Sequence, residues 1–92
     1  MRINELLWDS WNKDHIARRG ITGFDVEAVL KGSVSRVRIE RARDSTLAIW
    51  GRSESGKYLL IILSPRDKGS YYPVTARIME DREKRRYIKW LK

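Results

Sequence analysis

The pattern of apolar and polar positions changes period along the chain. "NELLW" is a short apolar run that reads as a strand or an extended lead-in. Asp9 or Ser10 can then cap a helix running to Arg19, with Gly20 ending it as a left-handed C-terminal residue. "ITGFDVEAVLKG" predicts a second helix with fuller signals. Thr22 is its N-cap and Asp25 the acid three positions on, a capping box with a shortened acidic side chain. Ile21 and Val26 hold the staple positions, Val26, Val29 and Leu30 form an apolar stripe, and Gly32 stops the helix.

From "SRVRIERAR" the period becomes two. Val37 and Ile39 fall on one face and Arg36, Arg38 and Glu40 on the other, a half-exposed strand with a basic outer face. "STLAIWGRS" predicts a second strand, and "ESGK" a hairpin turn in which Gly56 supplies the positive φ. "YLLIILS" is apolar throughout and reads as a central strand covered on both faces. "PRDKGS" is a loop. "YYPVTARI" alternates again, with Tyr72, Val74, Ala76 and Ile78 on one face and Tyr71, Thr75 and Arg77 on the other. Pro73 cannot donate to a ladder and marks an edge or a bulge.

The chain closes on "EDREKRRYIKWLK". At 100° per residue Arg82, Arg85, Arg86 and Lys89 form one stripe, with Tyr87, Ile88 and Leu91 roughly opposite. Glu80 and Asp81 open this helix, where the dipole favours acids. The expected architecture is α+β in two layers: two N-terminal helices, a four-stranded antiparallel meander and a C-terminal helix, all in one domain spanning residues 1–92.

Charge adds a direction. The 92 residues carry 20 Lys/Arg against 12 Asp/Glu, a net +8. Half of that excess lies in residues 81–92. A small surface this positive attracts phosphate backbones, anionic lipids or an acidic protein, and a stripe of bases on one helix favours nucleic acid. The apolar runs are far shorter than the roughly 20 residues of a membrane span, so no membrane role is expected. The opening does not read as a leader peptide. The absence of cysteine fits a cytoplasmic protein and removes thiol metal sites.

The chemistry on offer is narrow. A lone His15, no Cys and no close acid cluster argue against a metal site, and no cofactor motif is present. His15 and the Trp8/Trp11 pair read more simply as helix-surface and anchoring residues. RNA, however, is cleaved when its own 2′-hydroxyl attacks the adjacent phosphate. That reaction asks the protein to orient the phosphate, stabilise its extra charge and move protons. Arginines serve the first two needs, and Glu or Tyr can serve the third. Arg77, Glu83 and Tyr87 supply those residue types, and Arg52 can join them from the hairpin.

With these residues in view the chain resembles a known family. "LLWDSWNKDHIARRGIT", "GRSESGKYLLIIL" and "TARIMEDREKRRY" look like the opening, the arginine-bearing hairpin and the closing signature of BrnT-type ribonuclease toxins. The closing signature has Glu six residues after its Arg and Tyr four after that, matched here by Arg77, Glu83 and Tyr87. Arg19 replaces the family's His, and Thr75 its Ser. The resemblance implies a RelE-like fold and a metal-independent endoribonuclease toxin of a two-gene toxin–antitoxin module. Arg77, Glu83, Tyr87 and Arg52 would be its catalytic residues. Arg82, Arg85, Arg86 and Lys89 would bind RNA. A ribbon-helix-helix antitoxin of the BrnA type would be the partner, and DNA would be reached only through it. The alternative is a non-catalytic basic module on the same fold that binds RNA or a protein.

Overall fold

The computed structural model describes residues 3–32 and 34–92. Met1 and Arg2, part of the opening discussed above as no leader, lie outside the described residues, as does Ser33. Three α-helices and a five-stranded mixed sheet are present among the described residues. In chain order they are β1 (Glu5–Leu6), α1 (Ser10–Ala17), α2 (Gly23–Lys31), β2 (Arg38–Arg41), β3 (Leu47–Arg52), β4 (Tyr58–Pro65), β5 (Ser70–Ile78) and α3 (Asp81–Leu91). The fold is α+β.

The expected meander is there as β2 to β5, with each neighbouring pair antiparallel. It is not the whole sheet. The strand order is β1-β5-β4-β3-β2, and β1 pairs with β5 in parallel, Glu5 opposite Ser70 and Leu6 opposite Tyr71. Two residues of pairing leave almost no periodic signal in a sequence, so "NELLW" could be read as a strand or lead-in but its place in the sheet could not.

The two-layer expectation also needs correction. Alternation along β3 and β4 puts Leu47, Ile49, Leu59, Ile61 and Leu63 on one face, where they meet Ile16 and Ile21 and Val26 and Val29 of α2 in the main core. Trp50, Tyr58 and Leu60 point the other way, into a smaller cluster with Met79, Tyr87, Trp90 and Leu91. Helices therefore cover both faces, α1 and α2 on one side and α3 on the other. Gly51 permits the close approach of α2: a Cβ there would stand 2.5 Å from Val29 Cγ1.

The local helix signals were sound. Thr22 and Asp25 form the reciprocal capping box, each accepting the other's backbone N–H at 3.0 Å, and Gly32 ends α2 at φ 65°. Asp9 is the α1 cap, with Asn12 completing its box. This helix stops at Ala17, short of Arg19. Gly56 turns the β3–β4 hairpin at φ 90°.

Three assignments of face change. Pro73 lies beside a bulge: Ile62 pairs with Thr75 but Leu63 with Pro73, so Val74 is the extra residue. The slip turns Tyr71 towards the main core and Tyr72 away from it, where it meets Asp9. On β2 the supposed outer face is the covered one. Glu40 accepts from Trp50 Nε1 at 2.6 Å and pairs with Arg38 at 3.1 Å, while Ile39 is 41% exposed at the sheet edge. Arg36 and Arg38 stand over the Trp90 ring, and Arg36 also reaches the Trp90 and Leu91 carbonyls at the C-terminal end of α3. The strand β4 is fully covered only towards α1 and α2; Leu60 and Ile62 remain half-buried.

Candidate functional site

One end of the α3-covered face gathers cations around a tyrosine. Arg52 ends β3 and pairs across the hairpin with Tyr58, the first residue of β4. The Arg52 guanidinium lies 5.4 Å from the Tyr58 ring centroid. Lys84, from the first turns of α3, brings its Nζ to 4.5 Å from the same centroid. Arg77 pairs across β5 with Leu60, two residues along from Tyr58 on the same face of β4. Met79 N–H donates to the Tyr58 carbonyl at 2.8 Å, which fixes where the chain turns from β5 into α3.

Arg77 at the end of β5 and Glu83 in the first turn of α3 meet directly. Nη1 and Nη2 of Arg77 donate to the two Glu83 carboxylate oxygens at 2.6 and 2.7 Å, a fork-to-fork ion pair. Glu83 also accepts the Glu80 backbone N–H at 2.8 Å, so it stabilises the start of α3. The Arg77 hydrogen bonds, followed by that backbone donor, pull the Glu83 pKa down to about 2 against the cost of partial burial. Glu83 is thus a committed carboxylate at neutral pH and a weak base. Arg77 keeps donors to spare: of its five N–H bonds, two go to Glu83 and one to the Ile78 carbonyl.

Tyr87 sits elsewhere than a reacting group would. It is fully buried. Its hydroxyl donates to the Arg36 carbonyl and shares a 2.7 Å hydrogen bond with Ser35 Oγ. Its ring packs edge-on to Tyr58 and stacks with Trp90. This geometry makes Tyr87 a core anchor that ties α3 to the segment before β2.

The basic stripe is where the helical wheel put it. Arg82, Arg85, Arg86 and Lys89 are all exposed. The opposite face is centred on Tyr87, Trp90 and Leu91 rather than on Tyr87, Ile88 and Leu91. So the bases of α3 divide. Four face solvent, and Lys84 turns towards Tyr58 and Arg52. Lys84 and Tyr58 were missed from sequence. Lys84 follows Glu83 directly, and its proximity to the hairpin depends on how α3 docks, which no local pattern encodes.

The β3–β4 hairpin that carries Arg52 and Tyr58 is itself anchored. Asp25 of α2, buried, accepts from Lys57 Nζ at 3.2 Å and from Ser55 Oγ at 3.3 Å. Its hydrogen bonds and the Lys57 charge hold its carboxyl below the ordinary carboxylate range despite burial. Ser53, also buried, accepts the Lys57 backbone N–H at 3.1 Å. A cap of one helix thereby fixes the turn that presents two members of the site.

Among the described residues no three His, Cys, Asp or Glu side chains gather closely enough to hold a metal ion, and no helix is long and apolar enough to cross a membrane. Neither the protein-family models nor the curated proteins compared with this chain match it.

Proposed function

We propose that this protein engages RNA at the Arg52–Tyr58–Lys84–Arg77 end of its sheet and acts there as an endoribonuclease toxin of the BrnT type, on a RelE-like variant of its α+β fold. The observation that carries the proposal is the pair of cations from β3 and α3 over the Tyr58 ring, on the same sheet face as Arg77 of β5, which lies opposite Leu60 and keeps free donors. Such a cluster suits a phosphodiester that gains charge as the neighbouring 2′-hydroxyl attacks it. Arg77 would hold the phosphate, Arg52 and Lys84 would neutralise it, and Glu83 would hold Arg77 in place, while the 2′-hydroxyl would give its proton to water and the departing 5′-oxygen would take one from water. The resemblance of the three quoted segments adds the toxin setting: a ribbon-helix-helix antitoxin of the BrnA type as partner, DNA reached only through it, and a cytoplasmic location.

The test is induced expression in a bacterial host, followed by purification and incubation with RNA. The expected outcome is arrested growth and cleavage products ending in 2′,3′-cyclic phosphate, with cleavage unchanged by EDTA. A chain that neither slows growth nor cuts RNA loses the catalytic part of the proposal.

A second reading has a specific observation in its favour. Glu83 is locked to Arg77 and the Tyr87 hydroxyl is buried, so the two expected proton carriers are both engaged. A non-catalytic RNA-binding module uses the same cations without needing either. RNA binding without cleavage would select it.

A further inference from the structure

On the sheet face opposite α3, the first helix turns an aromatic surface outward. Trp11 and His15 lie one turn apart on α1, their rings nearly parallel at 9° and their centroids 4.8 Å apart. His15 covers one face of the indole, yet Trp11 is still 56% exposed, which leaves the other face open. Pairing at i, i+4 steadies the helix. It does not account for an open indole face on the surface of a small domain.

The surroundings point to one kind of occupant. The exposed residues beside Trp11 in the chain, Ser10, Lys13 and Asp14, are polar, unlike the setting of an apolar patch that docks another protein, and Asn12 is buried. At 100° per residue the exposed Arg18 falls on the same stripe as Trp11 and His15, and the exposed Arg19 follows it. A flat ring with cations one turn away fits a base and its phosphates.

The sheet-end site supplies the complementary half. Its one ring at the surface, Tyr58, already has Arg52 and Lys84 over it, and Tyr87 is buried. That site is equipped for phosphate and has no free ring for a base. Among the described residues the exposed aromatic side chains are Trp11 and Phe24, and only Trp11 carries a stacked partner.

We propose that Trp11, backed by His15, is a stacking platform for an unpaired nucleobase of single-stranded RNA, with Arg18 and Arg19 meeting the adjacent phosphates. This rests on the RNA-binding reading and extends it to a second face. A strand that reaches both places passes around the sheet margin, which asks for a footprint of several nucleotides, within the roughly 4–16 of single-strand binders.

Fluorescence anisotropy with a labelled, unstructured oligouridylate at the long end of that range tests the platform. Trp11→Phe keeps a stacking ring, whereas Trp11→Leu keeps only apolar bulk. Trp11→Leu should weaken binding roughly tenfold, and Trp11→Phe should bind close to the parent. Stacking releases no counterions, so the log–log salt slope should not change. Unchanged thermal melting checks that α1 stays folded. Parent-like affinity in Trp11→Leu overturns the platform, and so does an equal loss in Trp11→Phe and Trp11→Leu. If the parent binds the RNA and Trp11→Leu binds equally well, only the platform falls; if the parent binds no RNA, the RNA reading falls with it.

Discussion

At the scale of single residues, the Arg77–Glu83 pair couples acid stability to the geometry of the site. The Glu83 pKa is depressed in the folded protein to about 2 from an ordinary 4.5. A depressed carboxylate stabilises the fold at pH values above its unfolded pKa, and that contribution fades as pH falls from about 4.5 towards 2. Arg77 is about one-third exposed, so screening by solvent reduces the effect to roughly 1–2 kcal/mol. Glu83→Gln can still accept the Glu80 N–H but carries no charge. Its melting temperature should be lower at neutral pH and should converge with the parent near pH 2, as followed by circular dichroism. Parallel curves at all pH values would mean that the ion pair contributes no net stability.

Tyr87 poses the other single-residue question. Removing its hydroxyl takes from the Arg36 carbonyl and Ser35 Oγ the hydrogen-bond partner they share. Tyr87→Phe should therefore lose about 1–2 kcal/mol of stability in urea unfolding and keep parent-like RNA cleavage. A large loss of cleavage with unchanged stability would return Tyr87 to the chemistry.

At the scale of elements, α3 has two occupations, and they can be separated. Its inward side anchors the second core through Tyr87 and Trp90, while Arg82, Arg85, Arg86 and Lys89 face solvent. Neutralising Arg82, Arg86 and Lys89 together should leave melting within about 0.5 kcal/mol of the parent, as surface changes usually do. If the stripe contacts phosphates, each lost contact should flatten the log–log salt dependence of RNA binding by about 0.7. An unchanged slope would confine RNA to the sheet end and the α1 face. What could be read of the elements follows range. The caps of α2 were legible because Thr22, Asp25 and Gly32 act within one or two turns of themselves. The stripe of α3 was legible because angle alone defines it. The pairing of β1, the bulge at Val74 and the covered face of β2 depend on contacts between distant segments. Alternation there was visible, but which side α3 would cover was not. Arg77 and Glu83 were found because a strand end and the helix after it are neighbours in the chain. Lys84 and Tyr58 were not, because a docked helix brings them together.

At the scale of the whole molecule, the site is assembled from both ends of the fold. Asp25 fixes the hairpin from the α1–α2 side, and Tyr87 and Glu83 fix α3 from the other. Such a frame costs little movement when charge develops on a bound phosphate, which is the condition under which fixed cations accelerate a reaction. It also lets binding and chemistry be told apart. Arg52 and Lys84 stand over Tyr58 with no ion-pair partner among the described residues, so replacing both with Met should weaken RNA binding while leaving the fold intact. Arg77→Ala removes the cation assigned to the scissile phosphate, and an electrostatic stabiliser of that kind is worth about 10²–10³ in rate. It also strands Glu83, so the double variant Arg77→Ala/Glu83→Gln, which leaves no unpaired carboxylate, is the cleaner comparison. In single-turnover cleavage at saturating protein, the Arg52/Lys84 variant should recover only part of the parent rate, because added protein compensates for weak binding but not for the lost charge beside the phosphate. The Arg77/Glu83 variant should stay slow at any concentration while melting as a folded protein. Parent-like single-turnover rates in the folded Arg77/Glu83 variant would remove Arg77 from the chemistry and leave the sheet end as a binding surface alone.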